Sequence, residues 1–184
     1  MKCDPIFTER LVIREFIRSD RDALMHFARN PEQLELMLFS LKDEKEVDGF
    51  LDESIAATSM EKRVLYILAV ALRDDPLNSC IGCVSLMDID ENLAQAELGY
   101  FFRSDVWGKG YGAESARELV NFGFRNIGLH RIWGMCHVRN AGSARVMEKI
   151  GMKHEGTLRE HAWLRDHYRS SYVFGILEEE WKIV

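Results

Sequence analysis

The spacing of hydrophobic residues along the 184-residue chain changes several times, and each change predicts a new element. Runs rich in aliphatic, β-branched and aromatic residues, bounded by polar turns, are typical of strands. Val64–Leu72 is continuously apolar, which indicates a buried strand, although a run of this length is also compatible with a short helix. The predicted strands are Phe7–Phe16, Val64–Leu72, Ile81–Met87, Ala94–Phe102, Arg131–Val138, Met152 to about Trp163, and Tyr168–Leu177.

Between these runs, apolar residues recur at helical spacing. Ser19 is the predicted N-cap of the first helix, and Pro31 is a good first-turn residue for a second helix that ends near Phe39. The third helix starts near Asp43, and the remaining two are predicted over 112–126 and 141–150. Helices that precede a three-strand meander and a later strand-helix-strand unit predict an α+β protein.

Composition narrows the class of protein. Apolar residues make up 47% of the chain and only three prolines are present, so disorder and fibrous repeats are excluded and one domain over residues 1–184 is expected. The formal charge of −6 argues against direct binding of nucleic acid and leaves room for a basic substrate. No segment approaches the ~20 apolar residues that span a bilayer, so a cytoplasmic location without membrane binding is predicted.

The four cysteines do not predict a metal or redox site. Cys80 and Cys83 have C-x-x-C spacing, but they open a strand-like run, whereas a redox pair places its first sulfur at a helix N-terminus. No second pair completes a zinc site, and we therefore expect ordinary strand cysteines and no bound metal.

Residues 107–113 read W-G-K-G-Y-G-A and lie between a predicted strand and a predicted helix. Glycines at such a junction let backbone N–H groups approach an anion, and the positive end of the helix dipole assists, so a phosphate or pyrophosphate is expected here. The lysine lies between glycines with no Ser or Thr after it, which excludes a Walker loop. The dinucleotide fingerprint G-x-G-x-x-G is missed as well.

A third glycine-rich pattern, Q/R-x-x-G-x-G/A, fits Gly110-Tyr111-Gly112. Further segments match in the same order: A-E-L-G-Y before the loop, then N-A-G-S-A-R-V-M-E-K-I-G-M, E-G-T-L-R-E and a closing E-E-E-W. Together they resemble the ribosomal-protein N-acetyltransferase (RimJ/RimL-like) branch of the GNAT superfamily. The resemblance covers most of residues 8–181 and implies a single GNAT domain whose sheet, of about seven mostly antiparallel strands, has a splayed parallel pair at its centre.

The resemblance also implies acetyl-CoA as cosubstrate. The backbone of Phe101, Phe102 and Arg103 would contact the pantetheine arm. Asn140 would contact the same arm, although it is equally suited to be the N-cap of the following helix. The pyrophosphate would lie on the loop formed by Trp107, Gly108, Lys109, Gly110, Tyr111, Gly112 and Ala113.

Two residues are the catalytic candidates. Ser143 falls on the family's serine near the sulfur and would serve the leaving thiolate, or else only hydrogen-bond at the helix terminus. Glu97 lies on a mostly apolar strand and is the candidate general base, with a raised pKa unless an arginine pairs with it.

Further base candidates follow from a departure from the family pattern. In some relatives a glutamate that acts as the general base stands where this chain has Ala162. Glu160 and His161 are therefore alternative bases here. Water is also a possible proton carrier.

The expected activity is transfer of acetyl from acetyl-CoA to a primary amine, foremost the N-terminal α-amine of a protein such as a ribosomal protein. A small-molecule acceptor, a polyamine or an antibiotic, and a CoA-binding module without catalysis are the alternatives. The family often forms homodimers, and Trp163 or Trp181 would suit either an interface or the core.

Overall fold

The computed structural model describes residues 3–38, 41–90 and 92–181. Within these ranges the strand-forming segments join one eight-stranded sheet in the order β1-β2-β3-β4-β5-β6-β8-β7. Every neighbouring pair is antiparallel except β5 and β6, which run parallel. The strands are β1 (Ile6–Phe7), β2 (Leu11–Glu15), β3 (Tyr66–Leu72), β4 (Cys80–Asp90), β5 (Gln95–Phe102), β6 (Arg131–His137), β7 (Lys153–Leu164) and β8 (His167–Leu177).

The predicted α+β architecture and its central parallel pair are confirmed, with one strand more than expected. The predicted first strand is divided at residues 8–10, where Thr8 N donates to the Leu11 carbonyl at 3.0 Å and closes a turn. β1 then folds back on β2. The apolar run over 64–72 is a strand, because it pairs with β2 on one side and β4 on the other.

Five α-helices cover the sheet in the described part of the chain. They are α1 (Arg21–Ala28), α2 (Pro31–Leu36), α3 (Glu44–Ala57), α4 (Tyr111–Phe122) and α5 (Ala141–Lys149). One wider helical turn, Gly123–Ile127, extends α4. The predicted end of α2 near Phe39 lies outside the described residues.

The prediction that Ser19 caps α1 is wrong. A 3₁₀ turn over Arg18–Asp20 precedes the helix, and the Asp20 carboxylate accepts from Ile17 N at 2.9 Å. Arg14 donates to both oxygens of the same carboxylate, each at 2.8 Å. The buried Arg14–Asp20 pair therefore determines where the chain turns, and sequence spacing alone does not show it.

The two faces of the sheet carry separate hydrophobic clusters. On one face, Leu98 and Phe102 of β5 pack with buried residues of α4 and α5. On the other, Phe101 packs with buried residues of α1 and α3. Because side chains alternate along a strand, Tyr100 lies on the α4–α5 face, whereas Glu97 shares the α1–α3 face with Phe101.

The parallel pair opens partway along its length. β5 and β6 pair only at three positions, the last of them Glu97 with Trp133. Just beyond, at Gly134, an added Cβ would lie 2.9 Å from the Leu98 carbonyl oxygen, so the two strands are still close together at this position. From Gly99 to Phe102, β5 is paired with β4 and not with β6. The two strands therefore enclose a wedge-shaped gap that widens toward the glycine-rich loop.

Candidate active site

The glycine-rich loop lies at the open end of this gap and presents a row of backbone N–H groups. Gly108 and Gly110 have φ of 76° and 86°, in the left-handed region that glycine adopts without strain. α4 starts at Tyr111, so the N–H groups of its first turn lack intrahelical acceptors. In the described part of the chain, no protein group accepts from the N–H groups of residues 108–113. These donors and the helix dipole are suited to binding an anion.

An arginine from the turn between β1 and β2 holds the outer side of the loop. Arg10 Nη1 donates to the Lys109 carbonyl at 2.9 Å, and Arg10 Nε donates to the Glu114 carboxylate at 2.7 Å. The guanidinium also lies 4.8 Å from the centroid of the Tyr111 ring. Because the peptide unit is planar and trans, turning the Lys109 carbonyl toward Arg10 directs the N–H of Gly110 to the opposite side.

The edge of β5 that faces the gap is partly occupied by protein groups. The Phe102 carbonyl accepts from Trp107 Nε1 at 2.7 Å and from Gln33 Nε2 at 2.5 Å. The Arg103 N–H donates to the Ile81 carbonyl at 3.0 Å, toward β4, and its carbonyl accepts from Val106 N at 3.2 Å.

Hydrogen-bond direction alternates along the strand, so the backbone of Phe101 also faces β4, whereas that of Tyr100 and Phe102 faces the gap. A cosubstrate contact from the Arg103 backbone, as the resemblance implied, would require one of its two bonds to break. The gap-facing backbone at Tyr100 and Phe102 is better oriented for such contacts.

Across the gap, the first turn of α5 brings Ser143 to Tyr100. The Tyr100 hydroxyl donates to the Ser143 carbonyl at 2.9 Å and lies 2.9 Å from Ser143 Oγ. Burial raises the pKa of Tyr100 above its ordinary value, so the phenol stays protonated. Asn140 Oδ1 accepts from Ser143 N at 3.0 Å, which confirms Asn140 as the N-cap of α5. Its predicted contact with the cosubstrate uses the remaining amide group and stays a prediction.

Glu97 lies on the opposite face of β5, at the point where the strands part. Burial, and secondarily the Asp88 carboxylate, raise the pKa of Glu97 to about 7. The ion-pair alternative is not seen, because no cation pairs with Glu97 among the residues for which the structure gives side-chain contacts. A half-buried carboxylate that exchanges its proton near neutral pH suits a general base.

The other base candidates lie on a bulge of β7. Glu160 has φ of 48° and is exposed, so it lies outside the buried part of the sheet. His161 Nε2 is 2.9 Å from the Oγ of Ser171, which pairs with His137 at the end of β6. The ladder resumes at Ala162. The bulge therefore brings His161 beside Ser171 of β8, whereas Glu97 lies where β5 and β6 part.

Three residues near the gap escaped sequence reasoning: Arg10, Gln33 and Tyr100. Arg10 and Gln33 lie far along the chain from the groups they contact, and their polar side chains occur in no recognisable motif. Tyr100 lies in the A-E-L-G-Y segment, and strand alternation predicts that it faces the opposite side of β5 from Glu97. The sequence does not show that its hydroxyl contacts Ser143 on α5.

The two cysteines with C-x-x-C spacing lie on β4. Cys80 and Cys83 are buried, free thiols whose pKa burial raises, as expected for strand cysteines. Over residues 3–38, 41–90 and 92–181, no group of three or more His, Cys, Asp and Glu side chains converges as metal ligands would. No helix in these same ranges has the length and apolar character needed to cross a bilayer.

Comparison with protein families gives one match that covers most of the chain. A family model for the acetyltransferase (GNAT) domain matches residues 10–153. Among curated proteins, an uncharacterised N-acetyltransferase of Bacillus subtilis (strain 168), YnaD, is 30% identical over 176 residues, which are 96% of this chain and 98% of that protein.

Solved structures agree in fold. A GNAT-family acetyltransferase from Bacillus anthracis superposes with a TM-score of 0.82 at 27% identity, over 96% of this chain and 100% of the other. A ribosomal-protein-S5-alanine acetyltransferase from Vibrio fischeri gives 0.82 at 20% identity over 98% and 100%. A spermidine N-acetyltransferase from Vibrio cholerae, in complex with CoA and spermine, gives 0.78 at 20% identity over 94% and 98%. At 20% identity the last two show likeness of fold alone.

Proposed function

Because the chain belongs to the GNAT acetyltransferase family, we propose that it transfers the acetyl group of acetyl-CoA to the N-terminal α-amine of a protein, with ribosomal proteins as the favoured class. The coarser activity, acetyl-CoA-dependent N-acetylation of an amine, follows from family membership. The observation that carries the proposal is the carboxylate of Glu97, placed at the splay without a cationic partner in the described residues and with a pKa of about 7.

That pKa favours an α-amine as acceptor. An α-ammonium group has a pKa of about 7.7–8.0, so transfer of its proton to Glu97 is nearly balanced. An alkylammonium group with a pKa near 10.4 would lose its proton about 2.5 pKa units less readily than an α-ammonium group, which corresponds to about 3.4 kcal/mol. The likeness of fold to a spermidine enzyme and the net charge of −6 speak for a polyamine as the second candidate.

The residues of the gap fit the cosubstrate. The unpaired N–H groups of 108–113 match the charge of a pyrophosphate, and the gap-facing edge of β5 matches an arm that carries amides. When bound, acetyl-CoA supplies an acetyl thioester. The backbone of 108–113 would hold its phosphates, and the backbone of Tyr100 and the N–H of Phe102 would contact its arm.

The two catalytic candidates face the gap from opposite sides of the sheet. Glu97, on the α1–α3 face, takes the proton of the acceptor ammonium so that the nitrogen lone pair becomes available for attack. Ser143, on the α4–α5 face beside the Tyr100 hydroxyl, would turn its hydroxyl proton from Tyr100 to the sulfur as the thiolate leaves. Base and leaving-group partner on opposite sides suit direct transfer in a ternary complex.

We expect Arg10→Ala to weaken CoA binding about tenfold, because the Lys109 carbonyl loses its donor and the Gly110 N–H is no longer oriented. Isothermal titration measures the effect. Arg73→Ala is the matched control: this arginine lies beside Arg10 in the same surface pocket, but its guanidinium donates to the Thr8 carbonyl at 3.0 Å and not to the loop. Equal dissociation constants for wild type and Arg10→Ala would contradict the proposed role of Arg10 in orienting the loop.

We expect Ser143→Ala to lower kcat about 10- to 100-fold and leave CoA affinity within about twofold of wild type. The hydroxyl is removed, whereas the backbone N–H of residue 143 can still donate to Asn140 and keep α5 capped. Steady-state kinetics and a CoA titration separate the two effects. An unchanged kcat with a lowered Tm would make Ser143 only a helix-terminal hydrogen bonder.

The experiment that tests the function is an acceptor screen with acetyl-CoA, in which thiol release is followed with N-terminal peptides of ribosomal proteins, polyamines and aminoglycosides. Peptides should give the highest kcat/KM. Preferred turnover of a polyamine would replace the proposed substrate class. Thiol release that never exceeds the background without acceptor, together with CoA binding, would favour a CoA-binding module without catalysis, and failure to bind millimolar CoA would refute the proposal.

A further inference from the structure

Helix α2 carries a buried polar atom that the protein leaves without a partner. Gln33 is 2% exposed, and its Nε2 donates to the Phe102 carbonyl at 2.5 Å. Its Oε1 has no hydrogen-bond partner in the described part of the molecule. A buried amide oxygen without a donor costs about 1–3 kcal/mol, and a donor from a bound ligand would remove this cost.

The orientation of the amide follows from its surroundings. The Phe102 carbonyl can only accept, so the NH₂ group of Gln33 must face it, and the oxygen is the atom left over. Trp107 Nε1 occupies the second lone pair of the same carbonyl at 2.7 Å. The Phe102 carbonyl is therefore saturated, and the Gln33 oxygen beside it is the acceptor that lacks a donor.

The location identifies which ligand supplies the donor. Phe102 follows Glu97 by five residues on β5, which places it about 16 Å from the acceptor side at ~3.3 Å per residue. It lies at the end of β5 from which the chain runs into the phosphate-binding loop, with Trp107 joining the two. A cosubstrate whose phosphates rest on residues 108–113 must pass this point with the part of its arm nearest the phosphates, which carries a hydroxyl and amide N–H groups.

We propose that Gln33 is a cosubstrate-binding residue whose Oε1 accepts a hydrogen bond from the pantetheine arm. The inference rests on the proposed use of acetyl-CoA. Gln33 reaches β5 from a helix that is anchored at its start: Asn30 caps α2 by accepting from Gln33 N at 3.1 Å, and Asn30 Nδ2 donates to Ser104 Oγ at 3.2 Å. α2 thus forms part of the cosubstrate site in addition to covering the sheet.

The test compares CoA with adenosine 3′,5′-bisphosphate, which has phosphates but no arm, by isothermal titration. Gln33→Leu should raise the Kd for CoA about 5- to 30-fold, as expected for one hydrogen bond, and leave that of the bisphosphate within about twofold. Leucine also removes the orphaned oxygen, and Trp107 still satisfies the Phe102 carbonyl, so Tm should stay within about 3 °C of wild type or rise.

Asn30→Ala is the matched control, because it loosens the anchoring of α2 and leaves the Gln33 side chain intact. It should lower Tm and change the Kd for CoA less than twofold. An Asn30→Ala variant that loses as much CoA affinity as Gln33→Leu would show that helix placement matters and overturn the proposal. Equal CoA binding by wild type and Gln33→Leu would overturn it while the proposed function stands, and a wild-type protein that binds neither ligand would overturn both.

Discussion

Gly110→Val should weaken CoA binding at least about 100-fold, whereas Lys109→Ala should weaken it less than about fivefold. Gly110 has φ of 86°, which a β-branched residue adopts only with strain of about 1–3 kcal/mol. A Cβ there would also lie 3.3 Å from Nη2 of Arg10, whose Nη1 holds the Lys109 carbonyl. The loop must shift, and several phosphate contacts are lost together. Lys109 is exposed and its carbonyl, not its ammonium, is what Arg10 holds.

Isothermal titration with CoA measures both variants. Gly128→Val serves as the matched control, because Gly128 has a similar φ of 80° and no atom within 4 Å of an added Cβ. It lies beyond the far end of α4, so it imposes the same kind of strain away from the loop. Its CoA affinity should equal that of wild type. If Lys109→Ala proves more damaging than Gly110→Val, the side chain and not the backbone binds the phosphates.

Glu97→Gln should lower kcat/KM by at least about 100-fold at pH 8, since an amide cannot accept the proton of the ammonium. In the wild type, kcat/KM should fall about tenfold per pH unit below pH 7, where the carboxylate becomes protonated, because the pKa of Glu97 lies at about 7. This limb should be missing in the variant. A wild-type profile whose acidic limb persists in Glu97→Gln would assign the base to another group, with His161 as the next candidate.

Asp88→Asn is the control for the electrostatic origin of that pKa. The Asp88 carboxylate adds to the effect of burial on Glu97, so its removal should move the acidic limb of kcat/KM to lower pH without abolishing activity. A limb that does not move would leave burial as the whole cause.

Glu97→Gln should also stabilise the protein at neutral and higher pH. The native pKa of Glu97, about 7, exceeds the ordinary value of 4.5, so the folded state holds the proton more tightly than the unfolded state. Between pH 4.5 and 7 the free energy of unfolding therefore falls as pH rises, and above pH 7 the full cost of the buried charge is present.

The interval between the two pKa values corresponds to about 3.4 kcal/mol, and partial exposure of the side chain reduces this to about 1–2 kcal/mol. Glu97→Gln should raise the free energy of unfolding by that amount at pH 8 and leave it unchanged at pH 4. Urea unfolding at the two pH values checks both the size and the sign. Equal effects at pH 4 and pH 8 would contradict the raised pKa.

The sequence by itself determined the elements and the loop. Alternation and helical spacing are local, so the meander β3-β4-β5, the parallel pair around α4 and the hairpin β7–β8 could be predicted from short windows of residues. The glycine-rich loop was predictable for the same reason, since its glycines, their positive φ and the first turn of α4 lie within seven consecutive residues.

Only the tertiary structure decided how the site is completed. Lys109 is held by Arg10, which lies 99 residues away, Gln33 reaches a carbonyl 69 residues away, and Tyr100 bonds Ser143 across 43 residues. The pKa of Glu97 likewise depends on burial and on which charges the fold brings near it. Such contacts depend on packing between distant segments, and no local preference of a polar side chain records which partner the folded chain will bring to it.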